Sequence, residues 1–256
     1  MSAQQGVFDL TGKVALVTGA GRGLGAATAR ALAKVGARVA VTGRSPADLA
    51  QVCASIVEAG GTAIAKLMNV NDAESVSSVM AEVGEAWGTV DVLVNNAGVE
   101  HQEPAVSVSL EDWATVIDTN LRGTFVCSQS FARAAESRAP RSIINLSSIA
   151  ASAGVRGQTV YCASKAGVEG LTRALAVEFS PLNIRVNALA PGYMLTDMPR
   201  MVAEDPELSE RIIRKIPLRR FGEVDEIGGP VVFLASDASS YMTGATLHYD
   251  GGYTAQ

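Results

Sequence analysis

Cysteine and histidine are scarce in this chain, with three of the first and two of the second in 256 residues. Cys53, Cys127 and Cys162 follow no metal-ligand spacing, and an odd count suits a reducing compartment better than a disulfide framework. They read as small core fillers. With only His101 and His248, a histidine-built metal site has too few ligands, so no metal is expected. Positive charge is also thin: 21 Lys and Arg stand against 26 Asp and Glu, a net charge of -5, and Arg219-Arg220 is too short to count as a basic run. Nucleic acid and anionic membrane are therefore excluded as expected partners. No apolar run reaches the roughly 18 residues of a membrane span. The start MSAQQGVFDL has neither the basic region nor the apolar core of a signal peptide, which predicts a soluble, cytoplasmic protein.

What is abundant is core-forming material. The chain is 48% hydrophobic and only 18% charged, enough to bury a large core, and residues 1–256 read as one domain. Strand-like runs begin at Val14 (VALVT), Arg38 (RVAVT), Thr62 (TAIAKL), Val90 (VDVLVN), Ser142 (SIINLS), Ile184 (IRVNALA) and Ala245 (ATLHYD). Helical stretches intervene from Ala26 to Val35 and from Pro46, Asp72, Glu111, Thr159 and Val224. This alternation predicts the α/β class: a single Rossmann-like, doubly wound parallel sheet of about seven strands with helices on both faces. Ligands then bind beyond the carboxyl ends of the strands, which brings Gly19, Asn95, Ser148 and Pro191 to one edge. The glycosylation sequon at Asn145-Leu146-Ser147 falls inside a core strand and is read as a chance match.

Two patterns carry chemistry. The first is the glycine turn GAGRGLG, Gly19 to Gly25, between a buried strand and an alanine-rich helix. Glycines remove the side chains that would hold a backbone away from a pyrophosphate, and the N–H groups opening the helix face the anion. No Gly-Lys-Ser/Thr follows, so this is no NTP-cradling loop. The second is YCASK, where Tyr161 and Lys165 stand four apart and share a helix face, with Ser148 thirteen residues upstream. An ammonium beside a phenol favours its ionised form; bringing the phenol from its usual range near 10 to about 7 takes about 4 kcal/mol. Cys162, the helix neighbour of Tyr161, points elsewhere.

TGAGRGLG (Thr18 to Gly25), NNAG (Asn95 to Gly98), Asn120 in DTNLRGTF, INLSS ending at Ser148, YCASK and NALAPGYMLTDM (Asn187 to Met198) together resemble the short-chain dehydrogenase/reductase family over essentially the whole chain. The resemblance implies an oxidoreductase moving hydride between a nicotinamide coenzyme and a carbonyl or secondary alcohol. In it Ser148 holds the substrate oxygen, Tyr161 is the general acid/base, and Lys165 binds the nicotinamide ribose and lowers the phenol pKa. Asn120 positions a water toward Lys165 or, alternatively, makes a helix-kink hydrogen bond. The coenzyme set it implies is Gly19, Arg22, Gly23, Leu24, Gly25, Arg44, Asn69, Val70, Asn96, Ala97, Gly98, Tyr161, Lys165, Pro191, Gly192 and Thr196.

The end of the second strand, where NAD-binding proteins place a carboxylate, reads TGRS with Gly43 and Arg44. Arg44 and Arg22 can pair with a 2′-phosphate, which predicts NADP(H), with NAD(H) as the alternative. Where the family commonly has aspartate against the adenine, this chain has Asn69, whose oxygen can still accept that bond. Substrate contacts are expected from Ser148, Ala150, Val155, Gln158, Tyr193 and Met194, with Glu100 and His101 nearby, under a lid at 194–217. These groups are mostly small or apolar, favouring a small-molecule ketone or secondary alcohol over a polyol. The motifs resemble both gluconate 5-dehydrogenases and 3-oxoacyl-carrier-protein reductases, so an NAD-dependent sugar or polyol dehydrogenase stands as the second reading, and a non-catalytic dinucleotide sensor as a third. The family habit implies a homotetramer.

Overall fold

The computed structural model describes residues 6–134, 139–196 and 205–256. Seven strands form one wholly parallel sheet: β1 (Val14–Val17), β2 (Arg38–Gly43), β3 (Thr62–Leu67), β4 (Val92–Asn95), β5 (Arg141–Leu146), β6 (Ile184–Pro191) and β7 (Thr246–Tyr249). Their order is β3-β2-β1-β4-β5-β6-β7, as predicted for the class. The chain winds outward from β1 in one direction and from β4 in the other, so the crevice between those two strands is the topological switch point.

Between the strands run α1 (Gly23–Lys34), α2 (Pro46–Glu58), α3 (Ala73–Trp87), α4 (Leu110–Ile117), α5 (Gly123–Arg133), α6 (Thr159–Phe179), α7 (Pro206–Ile213) and α8 (Gly228–Ala235). Successive strand residues point to opposite faces. Ala15, Val17, Val39 and Val41 accordingly join the core under α1, α2 and α8, while Val14, Leu16 and Ala40 join the one under α3, α5 and α6. Covered on both faces, the inner strands are mostly apolar, which is why their sequences read as continuous runs rather than alternations.

Caps set several boundaries one residue from the predicted ones. Asp72 is not the first residue of α3 but its cap, accepting from Glu74 N at 2.9 Å, and Ser109 caps α4 by accepting from Asp112 N at 3.0 Å. The helix expected from Ala26 begins at Gly23, because the end of the glycine turn is already its first turn. α5 was not anticipated. It continues α4 through a π-helical turn, Asp118–Arg122, which bends the helix beneath the switch point. The sequon residue Asn145 is fully buried; it accepts from Asn95 Nδ2 at 2.8 Å and donates to Thr172 Oγ1 at 2.9 Å. Of the expected lid, residues 197–204 lie outside the described residues. No described helix is long and apolar enough to cross a membrane.

Candidate active site

A cleft of about 680 Å³ opens beyond the carboxyl ends of β1, β2 and β4. Its floor is the glycine turn, and each glycine there has its own reason. A Cβ on Gly19 would lie 2.8 Å from the Cα of Ala97, and Gly19 has φ +62. On Gly25 a Cβ would strike the Gly19 carbonyl and stand 2.5 Å from Asn96 Nδ2. Gly23 has φ +53 and faces open space, its nearest neighbour being Thr196 Cγ2 at 3.9 Å. Arg22 at the α1 cap makes no capping bond and the first turn carries no acid, so the leading N–H groups are available to an anion. The cradle therefore fits the pyrophosphate of a dinucleotide.

Twelve of the residues expected to bind coenzyme line this cleft: Gly19, Arg22, Gly23, Leu24, Gly25, Arg44, Asn69, Val70, Asn96, Ala97, Gly98 and Thr196. Pro191 and Gly192 do not; they end β6, where a Cβ on Gly192 would lie 2.7 Å from Asp250 Cα. Asn69 spends its side-chain oxygen on Asn71 N at 3.2 Å, closing a turn, so it is less free for an adenine than expected. Asp48, Met68, Val99 and Thr119 line the cleft unforeseen, and Glu100, expected near the substrate, lines it too. The end of β2 itself carries no carboxylate, but Asp48 comes in from α2: a Cβ on Gly21 would lie 3.0 Å from its Cβ. Counting residues along the strand end alone misses it, because the helix folds back over the turn.

The cleft runs to Gly98, where three elements meet. A Cβ there would lie 3.2 Å from Asn120 Oδ1 and 3.7 Å from Lys165 Nζ. Lys165 is buried on α6, donates to the Leu146 carbonyl at 2.7 Å, and has its Nζ 5.6 Å from the centre of the Tyr161 ring. Ser148, at the end of β5, hydrogen-bonds the Tyr161 hydroxyl and accepts from Ala150 N at 3.1 Å. Asn120 sits in the π-turn. It accepts from Val99 N at 2.8 Å and donates to the Val99 carbonyl at 2.9 Å and to Ser164 Oγ at 3.0 Å. Both amide hydrogens are thus committed, one to the loop after β4 and one to α6.

A family model described as enoyl-(acyl carrier protein) reductase matches residues 19–254. A 3-oxoacyl-[acyl-carrier-protein] reductase of Synechocystis is 42% identical over 245 residues, 95% of this chain and 97% of the relative. The chain belongs to the short-chain dehydrogenase/reductase family. Among solved structures, a short-chain type dehydrogenase/reductase from Mycobacterium marinum is 38% identical, with a TM-score of 0.92 over 98% of both chains. A gluconate 5-dehydrogenase from Burkholderia cenocepacia in complex with NADP and tartrate is 33% identical, with a TM-score of 0.94 over 99% of this chain and 100% of that one. The protein is a nicotinamide-dependent oxidoreductase acting on CH–OH and carbonyl groups, as the family implies.

Electrostatics in this short-chain dehydrogenase/reductase differ from the expectation of an acidified phenol. Burial, and then the carboxylate of Glu100, push Tyr161 up to about 12, against which the Ser148 hydrogen bond works downward. Burial likewise brings Lys165 down to about 8. A lysine so desolvated holds its charge weakly, so in the coenzyme-free chain it does not outweigh the dehydration of its neighbour.

Of the expected substrate contacts, Ala150 and Met194 are buried, and Met194 packs against Gly222. Tyr193 is half-buried, edge-on to Tyr253 at 5.6 Å between ring centres. Gln158 precedes the first turn of α6 and donates to Glu100. His101 faces Glu103 through Nε2 at 3.1 Å and Asp112 through Nδ1 at 3.8 Å. These three bring ligand atoms within 4.8 Å of one another, a convergence that counting histidines did not anticipate. Only Nε2 is within hydrogen-bond distance of a carboxylate, that of Glu103, while Asp112 stands off at 3.8 Å.

Proposed function

We propose that this enzyme reduces a ketone to a secondary alcohol with NADPH, and that Tyr161 is its proton donor. The observation that carries the reading is the half-buried Tyr161–Ser148 pair beside the buried Lys165, with the phenol held protonated near neutrality. A donor must carry its proton when substrate arrives, and a pKa of about 12 secures that. When bound, the coenzyme supplies the hydride. Ser148 and Tyr161 then hold the carbonyl oxygen through their hydroxyls, and Tyr161 gives its proton to that oxygen as negative charge develops there. Lys165, charged below about pH 8, would hold the nicotinamide ribose hydroxyls and offset the phenolate left behind. Asn120 is a positioning residue that clamps the Val99 backbone to Ser164 and so fixes α6 against β4.

The sign of the pH dependence follows. Tyr161 stays protonated across the working range, so Lys165 is the group that titrates. kcat/KM for NADPH-dependent reduction of ethyl acetoacetate is therefore expected to be flat below neutrality and to fall as pH rises through about 8. A rate that climbed through that pH would contradict Tyr161 acting as acid.

NADP is favoured over NAD because Arg22 and Arg44 stand exposed on the cleft rim and neither has a hydrogen bond or ion pair among the described residues, leaving both for a phosphate. Asp48 opposes them in part. Arg44→Asp is expected to lower kcat/KM for NADPH by about two orders of magnitude, the scale of one lost charge-assisted pair plus a repulsion, while NADH use holds or improves. Equal losses with both coenzymes would remove Arg44 from phosphate recognition. Exposed apolar side chains on α4, α5 and α6, namely Trp113, Phe125 and Val177, give a homo-oligomer a surface to bury. The second reading, an NAD-dependent sugar or polyol dehydrogenase, draws on the likeness to the Burkholderia gluconate 5-dehydrogenase.

A further inference from the structure

Resting on that reductase reading, we infer that Glu100 makes the substrate site a charge filter, admitting neutral carbonyl compounds and turning away carboxylates. Glu100 lies two residues beyond Gly98 and lines the coenzyme cleft at that end. Its position is fixed from two sides: Gln158 Nε2 donates to Glu100 Oε1, and Glu103 N donates to the Gly157 carbonyl at 2.8 Å, tying this loop to the turn that opens α6. The bond from Gln158 sets Glu100 beside the start of α6, three residues before Tyr161, and the charge of Glu100 raises the phenols of Tyr161 and Tyr193.

No described cation neutralises it. Lys165 is spent on the Leu146 carbonyl, His101 is turned to Glu103 and Asp112, and Arg220 is paired with Glu226 at 2.7 Å. Gln158 provides a hydrogen bond without charge. Partial desolvation raises the Glu100 pKa although the side chain stays exposed at the cleft mouth, and a second carboxylate beside it would add like-charge repulsion. A keto ester, thioester or neutral keto-sugar meets no such repulsion, and a hydroxyl on the substrate can donate to the free lone pairs of Glu100. This separates the two substrate types that the motifs left together: the sugar acids fit poorly and the neutral carbonyl compounds fit well.

The test compares matched pairs, ethyl acetoacetate with acetoacetate and L-sorbose with 5-ketogluconate, in wild type and in Glu100→Gln, which keeps the shape and removes the charge. Wild type is expected to favour the neutral member by about two orders of magnitude in kcat/KM, and Glu100→Gln to shrink that ratio at least about tenfold through the KM of the anion. A second readout does not need turnover: tartrate added to the NADP+ complex should leave the wild-type Tm unmoved and raise that of Glu100→Gln. An unchanged ratio, or wild type stabilised by tartrate as much as the variant, overturns the inference. Wild type that reduces neither member of any pair defeats the reductase reading instead, and the tartrate comparison still decides the charge filter.

Discussion

Tyr161→Phe is expected to lower kcat for ketone reduction by about three orders of magnitude, the range of a lost proton donor, while the Kd for NADP+ changes by no more than about twofold. The substitution removes one hydroxyl. It leaves the ring against the Lys165 ammonium, and Lys165 keeps its bond to the Leu146 carbonyl on the far side. The only described partner that loses a bond is Ser148, which still accepts from Ala150 N, so stability should fall by no more than about 1 kcal/mol. Single-turnover oxidation of NADPH, with fluorescence titration of the coenzyme alongside, separates chemistry from binding. A variant that kept a tenth of the wild-type rate would mean that water or Ser148 delivers the proton and would end the role given to Tyr161.

The pairing of Tyr161 with Lys165 was legible in the sequence, whereas the direction in which the phenol's pKa moves was not, and the difference is physical. Spacing of four on a helix fixes which side chains share a face, so Tyr161 and Lys165 could be paired from YCASK alone. A pKa instead sums everything around the group. Here it is set by desolvation and by Glu100, a residue 61 positions upstream that only the fold brings close. Asp48 was hidden for the same reason, since α2 returns it to the glycine turn that its sequence position seems to leave. The strands were readable because both faces of the inner sheet are covered and their sequences stay mostly apolar. α5 was not, because it runs on from the π-turn with no capping side chain to mark its start. Gly123 is tolerated since a Cβ there would lie 2.8 Å from Val70 Cγ2, so close packing of the helix on the loop after β3 outweighs its poor helix propensity.

Gly25→Ala is expected to weaken NADP+ binding by about two orders of magnitude and to cost about 2–3 kcal/mol of stability, as overpacking against backbone does. The new methyl has nowhere to go. It would overlap the Gly19 carbonyl, stand 2.5 Å from Asn96 Nδ2 and lie 3.0 Å from Ala20 Cα. Asn96 is itself the clasp of the turn, donating to the Thr18 and Gly19 carbonyls at 2.9 and 3.0 Å, so one methyl group strains the turn and its clasp together. Moving the turn shifts the start of α1, and with it the N–H groups offered to the pyrophosphate. Gly84→Ala in α3 is the control: a Cβ there meets nothing within 4 Å, and replacing a helical glycine should raise stability by about 0.5–1 kcal/mol with coenzyme affinity unchanged. Thermal unfolding with and without NADP+ reads both effects, and a Gly25→Ala protein with wild-type affinity would mean that the turn does not form the pyrophosphate cradle.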